Sequence, residues 1–332
     1  MGVQTRIVLY AEDERTARDA AARAFDRIAA LEQVMSDYRP DSELSLLGGH
    51  EGGDRVPVSA ELFEVLTSAA LVSEASEGAF DVTIGPLVKL WREARRTGTL
   101  PEQVAIDRAW SGVGYTNLRL DRFWQTAKFS ASGMGLDLGG IGKGFAAQRA
   151  SDTLSGAGHT RHLVAMAGDI VVGDEPPGAE GWRIDVETGL GTTEARDKRT
   201  LLLVNGAVST SGDSAQFFEI GGVRYAHLID ARSARILDHA PTMADQAFTS
   251  SRGATVIASR GEFADAIGTA LAIIGPEWLE RPGGTERVEA MLKRLDAQAA
   301  IVEWRAVPTP EESDPALHSV TVDPQHAIRW AR

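Results

Sequence analysis

The 332-residue sequence predicts an α+β protein, mainly antiparallel sheets with helices packed on them. Three observations carry this. Most strand-like stretches follow one another through short turns, as hairpins do, instead of alternating with helices. The clearest is residues 217–220, the turn Gly221-Gly222, then residues 224–229. Long segments with apolar residues at helical spacing are few and separated by such strands. Finally, 43% hydrophobic and 24% charged residues, with no repeat and no clean linker, describe one large domain or two intimate ones, long enough to bury a sizeable core.

Taken in order, residues 4–10 form a strand centred on Ile7, Val8 and Leu9. Ala17, Ala21, Ala24, Ile28, Leu31 and Met35 mark the inner face of a helix over 15–35, stopped by Pro40 and its polar neighbours. Tyr38 follows at a loop mouth, where an aromatic is either partly buried or free to stack on a flat ring. Ser59 caps a second helix whose inner face is Leu62, Phe63, Leu66 and Ala70. That helix ends near Gly78, and Ala79-Phe80-Asp81-Val82-Thr83-Ile84-Gly85-Pro86 leads to a short helix over 87–92 with Trp91. Residues 95–111 are polar and read as a surface excursion, and 118–120 and 128–130 as strands.

Further on, residues 162–170 read as a buried strand closing at Gly168-Asp169. Strands follow over 182–186, 201–204 and 206–210, then the hairpin, then a core strand over 254–258. A helix over 263–274 puts Asp265 and Thr269 on one face, with Gly268 beside them permitting close approach. The tail holds one helical segment (Val288, Met291, Leu292, Leu295) and a mixed end.

Lys and Arg number 34 against 47 Asp and Glu, a net charge of −13. That balance argues against the basic face that non-specific nucleic-acid binding requires, although a local cluster of donors suffices for a small anion. With no cysteine, disulfides, thiolate nucleophiles and Cys-based metal sites are excluded. No apolar run reaches transmembrane length, and the first residues lack the pattern of a secretory leader.

The stretch with most chemical content is Gly133-Met-Gly-Leu-Asp137-Leu-Gly-Gly140-Ile-Gly-Lys143-Gly-Phe145, followed by an alanine-rich helix. Dense glycine allows close backbone approach, and the opening helix offers free N–H groups and a positive dipole end to an anion. Asp137 is suited to a polar ligand group or a metal, and Lys143 to a phosphate. The loop is neither a Walker A motif, since Lys143 precedes Gly144 rather than Ser or Thr, nor a dinucleotide fingerprint. It reads as a site for a phosphorylated ligand, with a purely structural strand-to-helix turn as the alternative.

These motifs line up with one known family. Met1-Gly2, Tyr38-Arg-Pro-Asp-Ser-Glu, Ala79-Phe80-Asp81-Val-Thr-Ile-Gly-Pro and the Leu136–Gly144 block match in order. So do Ala167-Gly168-Asp169-Ile, Thr210-Ser-Gly-Asp213, His227-Leu-Ile229-Asp230 and Ala264-Asp265-Ala-Ile-Gly-Thr269. The chain resembles the ApbE family, flavin transferases that attach FMN from FAD to a protein threonine, over roughly residues 1–275. The resemblance implies a T-fold-related architecture in one catalytic domain, with two intimate sub-regions forming an FAD cleft and a variable extension over about 276–332. It implies FAD contacts along Asp137 to Lys143 and Mg²⁺ held by the Gly140 carbonyl, Asp265 and Thr269. Met1, Tyr38, Ala79, Phe80, Asp81 and Ile229 would line the flavin or adenine pockets, and His227 would be the catalytic base.

Two departures stand out. The family often reads His-x-Ile-Asp-Pro-x-Thr-Gly, where this chain has Asp230-Ala231-Arg232-Ser233-Ala234, which is expected to loosen that turn. Gly268 stands where some members carry a second aspartate beside the metal.

His159 and His162 are read as surface or packing residues, and Asp213 as either a turn former or a site residue. Gly253-Ala254-Thr255 resembles part of the acceptor sequence such enzymes modify, but sits where a buried strand is expected. The expected reaction is Mg²⁺-dependent transfer of FMN from FAD to a threonine of an acceptor protein, releasing AMP. FAD pyrophosphatase and non-catalytic FAD binding are the alternatives. Members are commonly exported and lipid-anchored, so the expectation is a place outside the cytoplasm if a leader was removed, with the cytoplasm as alternative.

Overall fold

A computed structural model describes residues 2–50, 53–188, 197–212, 217–239, 251–279, 281–305, 317–323 and 328–331. The first part runs β1 (Thr5–Leu9), α1 (Glu14–Met35), α2 (Glu43–Gly48), β2 (Val56–Pro57), α3 (Ala60–Ala75), α4 (Gly85–Thr97), α5 (Gln103–Trp110), β3 (Leu118–Asp121) and β4 (Thr126–Phe129). Then come α6 (Gly142–Gly156), β5 (His162–Met166), β6 (Asp169–Val172), β7 (Trp182–Thr188), β8 (Asp197–Leu203) and β9 (Gly206–Gly212). The remainder is β10 (Phe217–Ile220), β11 (Val223–Asp230), β12 (Arg235–His239), β13 (Ser251–Ala258), α7 (Gly261–Ile274), α8 (Pro276–Leu279), α9 (Gly284–Arg294), β14 (Ala297–Arg305) and β15 (Leu317–Val322).

Among the described residues the central sheet has seven strands in the order β1-β5-β6-β9-β13-β14-β15, every neighbouring pair antiparallel. Its strands are apolar on both faces, and alternation divides adjacent residues between two cores. Val164, Val171, Ala207 and Val256 pack with α1, α6 and α7, whereas Leu163, Val172, Val208 and Ile257 meet the hairpin β7-β8 through Trp182, Ile184 and Leu201. The small sheet β2-β4-β3 packs with α3 into the first core. The sheet β10-β11-β12 covers α4, with Leu87, Trp91, Tyr225, Ile229 and Ile236 between them.

The α+β expectation holds. α1 begins at an Asp13 cap, whose side chain accepts from the Thr16 N–H, and Ser59 caps α3 by accepting from the Leu62 N–H at 3.1 Å. Three stretches differ from expectation. Residues 95–111 hold the end of α4 and the helix α5, which has no buried residue and packs through partly covered Ile106 and Ala109. The strand expected over 162–170 is a hairpin, because Ala167 takes φ 54° and turns β5 back into β6. The mixed C-terminal end supplies β14 and β15; β14 opens Ala-Gln-Ala-Ala, which carries little strand signal. Among the described residues no helix is long and apolar enough to cross a membrane.

Candidate active site

The site grows from the crossing of α6 over α7. A Cβ on Gly144 would lie 2.2 Å from the Gly261 carbonyl oxygen, and one on Gly261 would lie 2.3 Å from that of Gly144. Only glycines allow the two backbones this close, and the approach lets Asp265, one turn along α7, reach the start of α6. The Gly144 N–H donates to Asp265 Oδ2 at 3.0 Å. The buried carboxylate thus satisfies a free amide at the positive end of a helix.

Lys143 Nζ donates to Asp265 Oδ1 and Oδ2 at 3.2 and 3.3 Å and lies 3.0 Å from Asp169 Oδ2. Ser209 Oγ donates to Asp169 Oδ1 at 2.5 Å. Burial works to lower the Lys143 pKa, but Asp265 and then Asp169 outweigh it and hold the ammonium charged. Burial, then the charge of Asp265, pushes Asp169 up to about 7. One ammonium serves two buried carboxylates, so the surplus negative charge raises the affinity of the pair for a proton or another cation.

Next along α7, Thr269 meets the glycine-rich loop. A Cβ on Gly140 would stand 3.1 Å from both Thr269 Oγ1 and Cγ2, and 3.2 Å from Phe80 Cε2. Thr269 Oγ1 shares a 3.3 Å hydrogen bond with Ser211 Oγ. At Gly268 a Cβ would lie 3.3 Å from Ser211 Oγ and in ordinary contact with the Ala254 carbonyl at 3.6 Å, so a side chain there requires Ser211 to shift by a few tenths of an ångström. Among the described residues no group of three or more His, Cys, Asp or Glu could hold a metal. What exists is the Asp265 carboxylate and the Thr269 hydroxyl one turn apart on α7, with Gly140 of the loop packed against Thr269. This all-oxygen set fits a hard divalent cation that keeps water or phosphate ligands, as Mg²⁺ does.

The second arm is residues 79–86, zipped to the same loop. The Asp137 N–H donates to the Val82 carbonyl at 2.8 Å, and Ile84 bridges Gly135. Asp81 is buried and accepts from the Thr83 N–H and Oγ1 (2.8 and 2.7 Å) and the Tyr115 N–H (2.7 Å). It shapes this turn, and burial holds its pKa above the ordinary value. Ala79 is buried beside it. Asp137 accepts from the Gly139 N–H at 2.8 Å and Arg92 Nη2 at 3.0 Å. Burial and the charge of Asp37 push Asp137 up to about 6, against the pull of Arg92. Arg92 also pairs with Asp37 and lies 4.3 Å from the Tyr38 ring centroid.

Gly140, Lys143, Asp265, Thr269 and Phe80 therefore converge, and Asp137 and Tyr38 meet through Arg92. His227 is exposed on β11, between buried Ala226 and Leu228, and Ile229 is buried against α4. Met1 and Asp213 lie outside the described residues. His162 is buried, its Nε2 2.7 Å from Ser151 Oγ and Nδ1 2.8 Å from the His159 carbonyl, and Thr255 is a buried strand residue bonded to Thr210. The turn after Asp230 is not loose. Asp230 accepts from the Arg232 N–H at 3.0 Å and from Nε and Nη2 at 2.8 Å, while Ala234 takes the φ of 58° that a glycine would adopt freely.

Sequence reasoning missed Asp169 and Arg92 as site residues. Asp169 sat within a matched motif but had no visible partner. Arg92 carried no signal beyond its place on a helix.

The ApbE family model matches residues 1–292. A relative from Treponema pallidum named FAD:protein FMN transferase is 29% identical over 326 residues, covering 91% of this chain and 86% of its own. One of the same name from Haemophilus influenzae is 28% identical over 248 residues, covering 73% and 69%. The solved structure of the flavin transferase ApbE from Vibrio cholerae superposes with a TM-score of 0.76 at 24% identity, covering 98% of this chain and 95% of that one. With motifs, fold and family model in agreement, the chain belongs to the ApbE family.

Proposed function

We propose that this chain transfers FMN from FAD to a threonine hydroxyl of an acceptor protein, releasing AMP in an Mg²⁺-dependent reaction. The chain is a transferase of the FAD:protein FMN class, with FAD as substrate. The observation that carries the finer reading is the junction of Lys143, Asp265 and Asp169 beside Gly140 and Thr269, where a helix start and an under-neutralised carboxylate pair meet. Asp265, the Thr269 hydroxyl and the Gly140 carbonyl would hold Mg²⁺, which when bound offsets charge building on a pyrophosphate.

Lys143, with the positive end of the α6 dipole behind it, binds the pyrophosphate oxygens. The threonine oxygen bonds to the FMN-side phosphorus as that phosphorus parts from the bridging oxygen. AMP leaves with this oxygen and its electron pair, and His227 takes the hydroxyl proton.

The test is incubation with FAD and Mg²⁺, with and without a domain carrying an Asp-x-x-Ser/Thr-Gly-Ala-Thr segment, read by intact mass and released AMP. An FMN adduct on the acceptor threonine, absent without Mg²⁺ and reduced at least about 100-fold in Asp265→Asn, is expected. Free FMN with unlabelled acceptor assigns hydrolysis instead, and full activity in Asp265→Asn removes that residue from the metal site.

A further inference from the structure

Arg92 joins features from three parts of the chain. One end of its guanidinium pairs with Asp37, just past α1, and Nη2 donates to Asp137 of the glycine-rich loop at 3.0 Å. Its plane lies 4.3 Å from the Tyr38 ring centroid. Tyr38 is 75% exposed, so a face not covered by the guanidinium is open to solvent. An exposed tyrosine ordinarily samples several rotamers, and ordering one on binding lowers affinity. Here two carboxylates hold the guanidinium, and the guanidinium holds the ring through a cation–π contact.

Because Asp137 belongs to the loop that also carries Gly140 and Lys143, the same residue ties ring and loop together. We propose that Arg92, itself held by Asp37 and Asp137, is a positioning residue that keeps Tyr38 pre-set as a stacking platform for a flat ring of the dinucleotide substrate. The inference rests on the FAD reading above. Which ring stacks, isoalloxazine or adenine, is separated by probing with riboflavin and with AMP.

The experiment is equilibrium titration of FAD without Mg²⁺, so that no turnover is needed, into the parent protein, Arg92→Met, Tyr38→Ala and the double variant. Riboflavin and AMP are titrated in parallel, and flavin fluorescence reports stacking. Each single substitution should raise the FAD Kd about tenfold and relieve the quenching of bound flavin if that ring is the one stacked. The double variant should bind no more weakly than Tyr38→Ala alone, because Arg92 acts through the ring. Arg92→Lys, which keeps the charge but loses the two-pronged hold, should fall between.

A merely structural Arg92 would weaken binding independently of Tyr38, so multiplying single effects overturns the inference. Unchanged FAD affinity in Arg92→Met overturns it too, as does an effect seen with FAD but with neither riboflavin nor AMP. A parent protein that binds no FAD refutes the functional reading and this inference together, an outcome distinct from the others.

Discussion

Alanine at Gly144 forces α6 and α7 apart at the point where the site is assembled. The new methyl would stand 2.2 Å from the Gly261 carbonyl oxygen and 2.7 Å from Asp265 Cβ. The first distance is about 1 Å or more inside ordinary contact. Both obstacles are backbone or the root of a buried side chain, so neither yields by a rotamer change. Overpacking of this kind costs about 1–3 kcal/mol, and stretching the Gly144 N–H bond to the Asp265 carboxylate forfeits part of about 1.5–3 kcal/mol more. Lower chain entropy in the unfolded state returns about 0.4–1 kcal/mol. The net expectation is a loss of about 2–4 kcal/mol.

Gly156 is the internal control, since it ends the same helix and a Cβ there meets nothing within 4 Å. Gly156→Ala should be neutral or stabilising by up to about 1 kcal/mol. Urea unfolding of both variants measures the difference. FMN transfer by Gly144→Ala should fall about 100-fold, because the separation carries Asp265 away from Lys143 and the loop. Equal unfolding midpoints and equal transfer rates in the two variants would refute the helix-crossing account.

Ala234→Gly should leave stability within about 1 kcal/mol of the parent, since relief of a left-handed alanine is offset by the lost buried methyl and by the freer unfolded chain; a larger shift in the urea midpoint contradicts this. His162 is buried, and burial lowers its pKa although the His159 carbonyl opposes the shift. The unfolded chain therefore binds a proton near pH 6.5 that the native ring refuses. This stability is fully present above about pH 6.5 and is lost below it, by up to about 1.4 kcal/mol per pH unit until the lowered native pKa is reached. An identical pH dependence in His162→Gln would remove that assignment. His227→Ala should slow single-turnover transfer by about 10²–10⁴-fold at unchanged FAD affinity, and an unaltered single-turnover rate dismisses His227 as the base.

Local physics determined much of this protein from sequence alone. The apolar spacing of Ala24, Ile28, Leu31 and Met35 is enough to define α1 and its inner face. Ser59 announces the start of α3, and Gly221-Gly222, at φ 61° and 79°, announces the β10–β11 turn. Asp265 and Thr269 share a face because they lie one helical turn apart, and a glycine-rich loop before a helix marks an anion site without any partner in view. Each of these signals is complete within a few residues.

Tertiary structure alone decided how the pieces meet. Lys143 is 122 positions from Asp265, and their contact depends on two glycines at a helix crossing whose register no local pattern encodes. Asp169 joins them because β6 lies beside β9 in the sheet, which places it opposite Ser209. Arg92 reaches Asp37 and Asp137 across 55 and 45 positions, so its role is invisible in a helix that reads as ordinary. Strands β14 and β15 exist as strands because β13 offers an edge to pair with, a condition met only once the sheet has formed. Side-chain periodicity is a property of neighbours in sequence, whereas charge pairing and backbone approach are properties of neighbours in space.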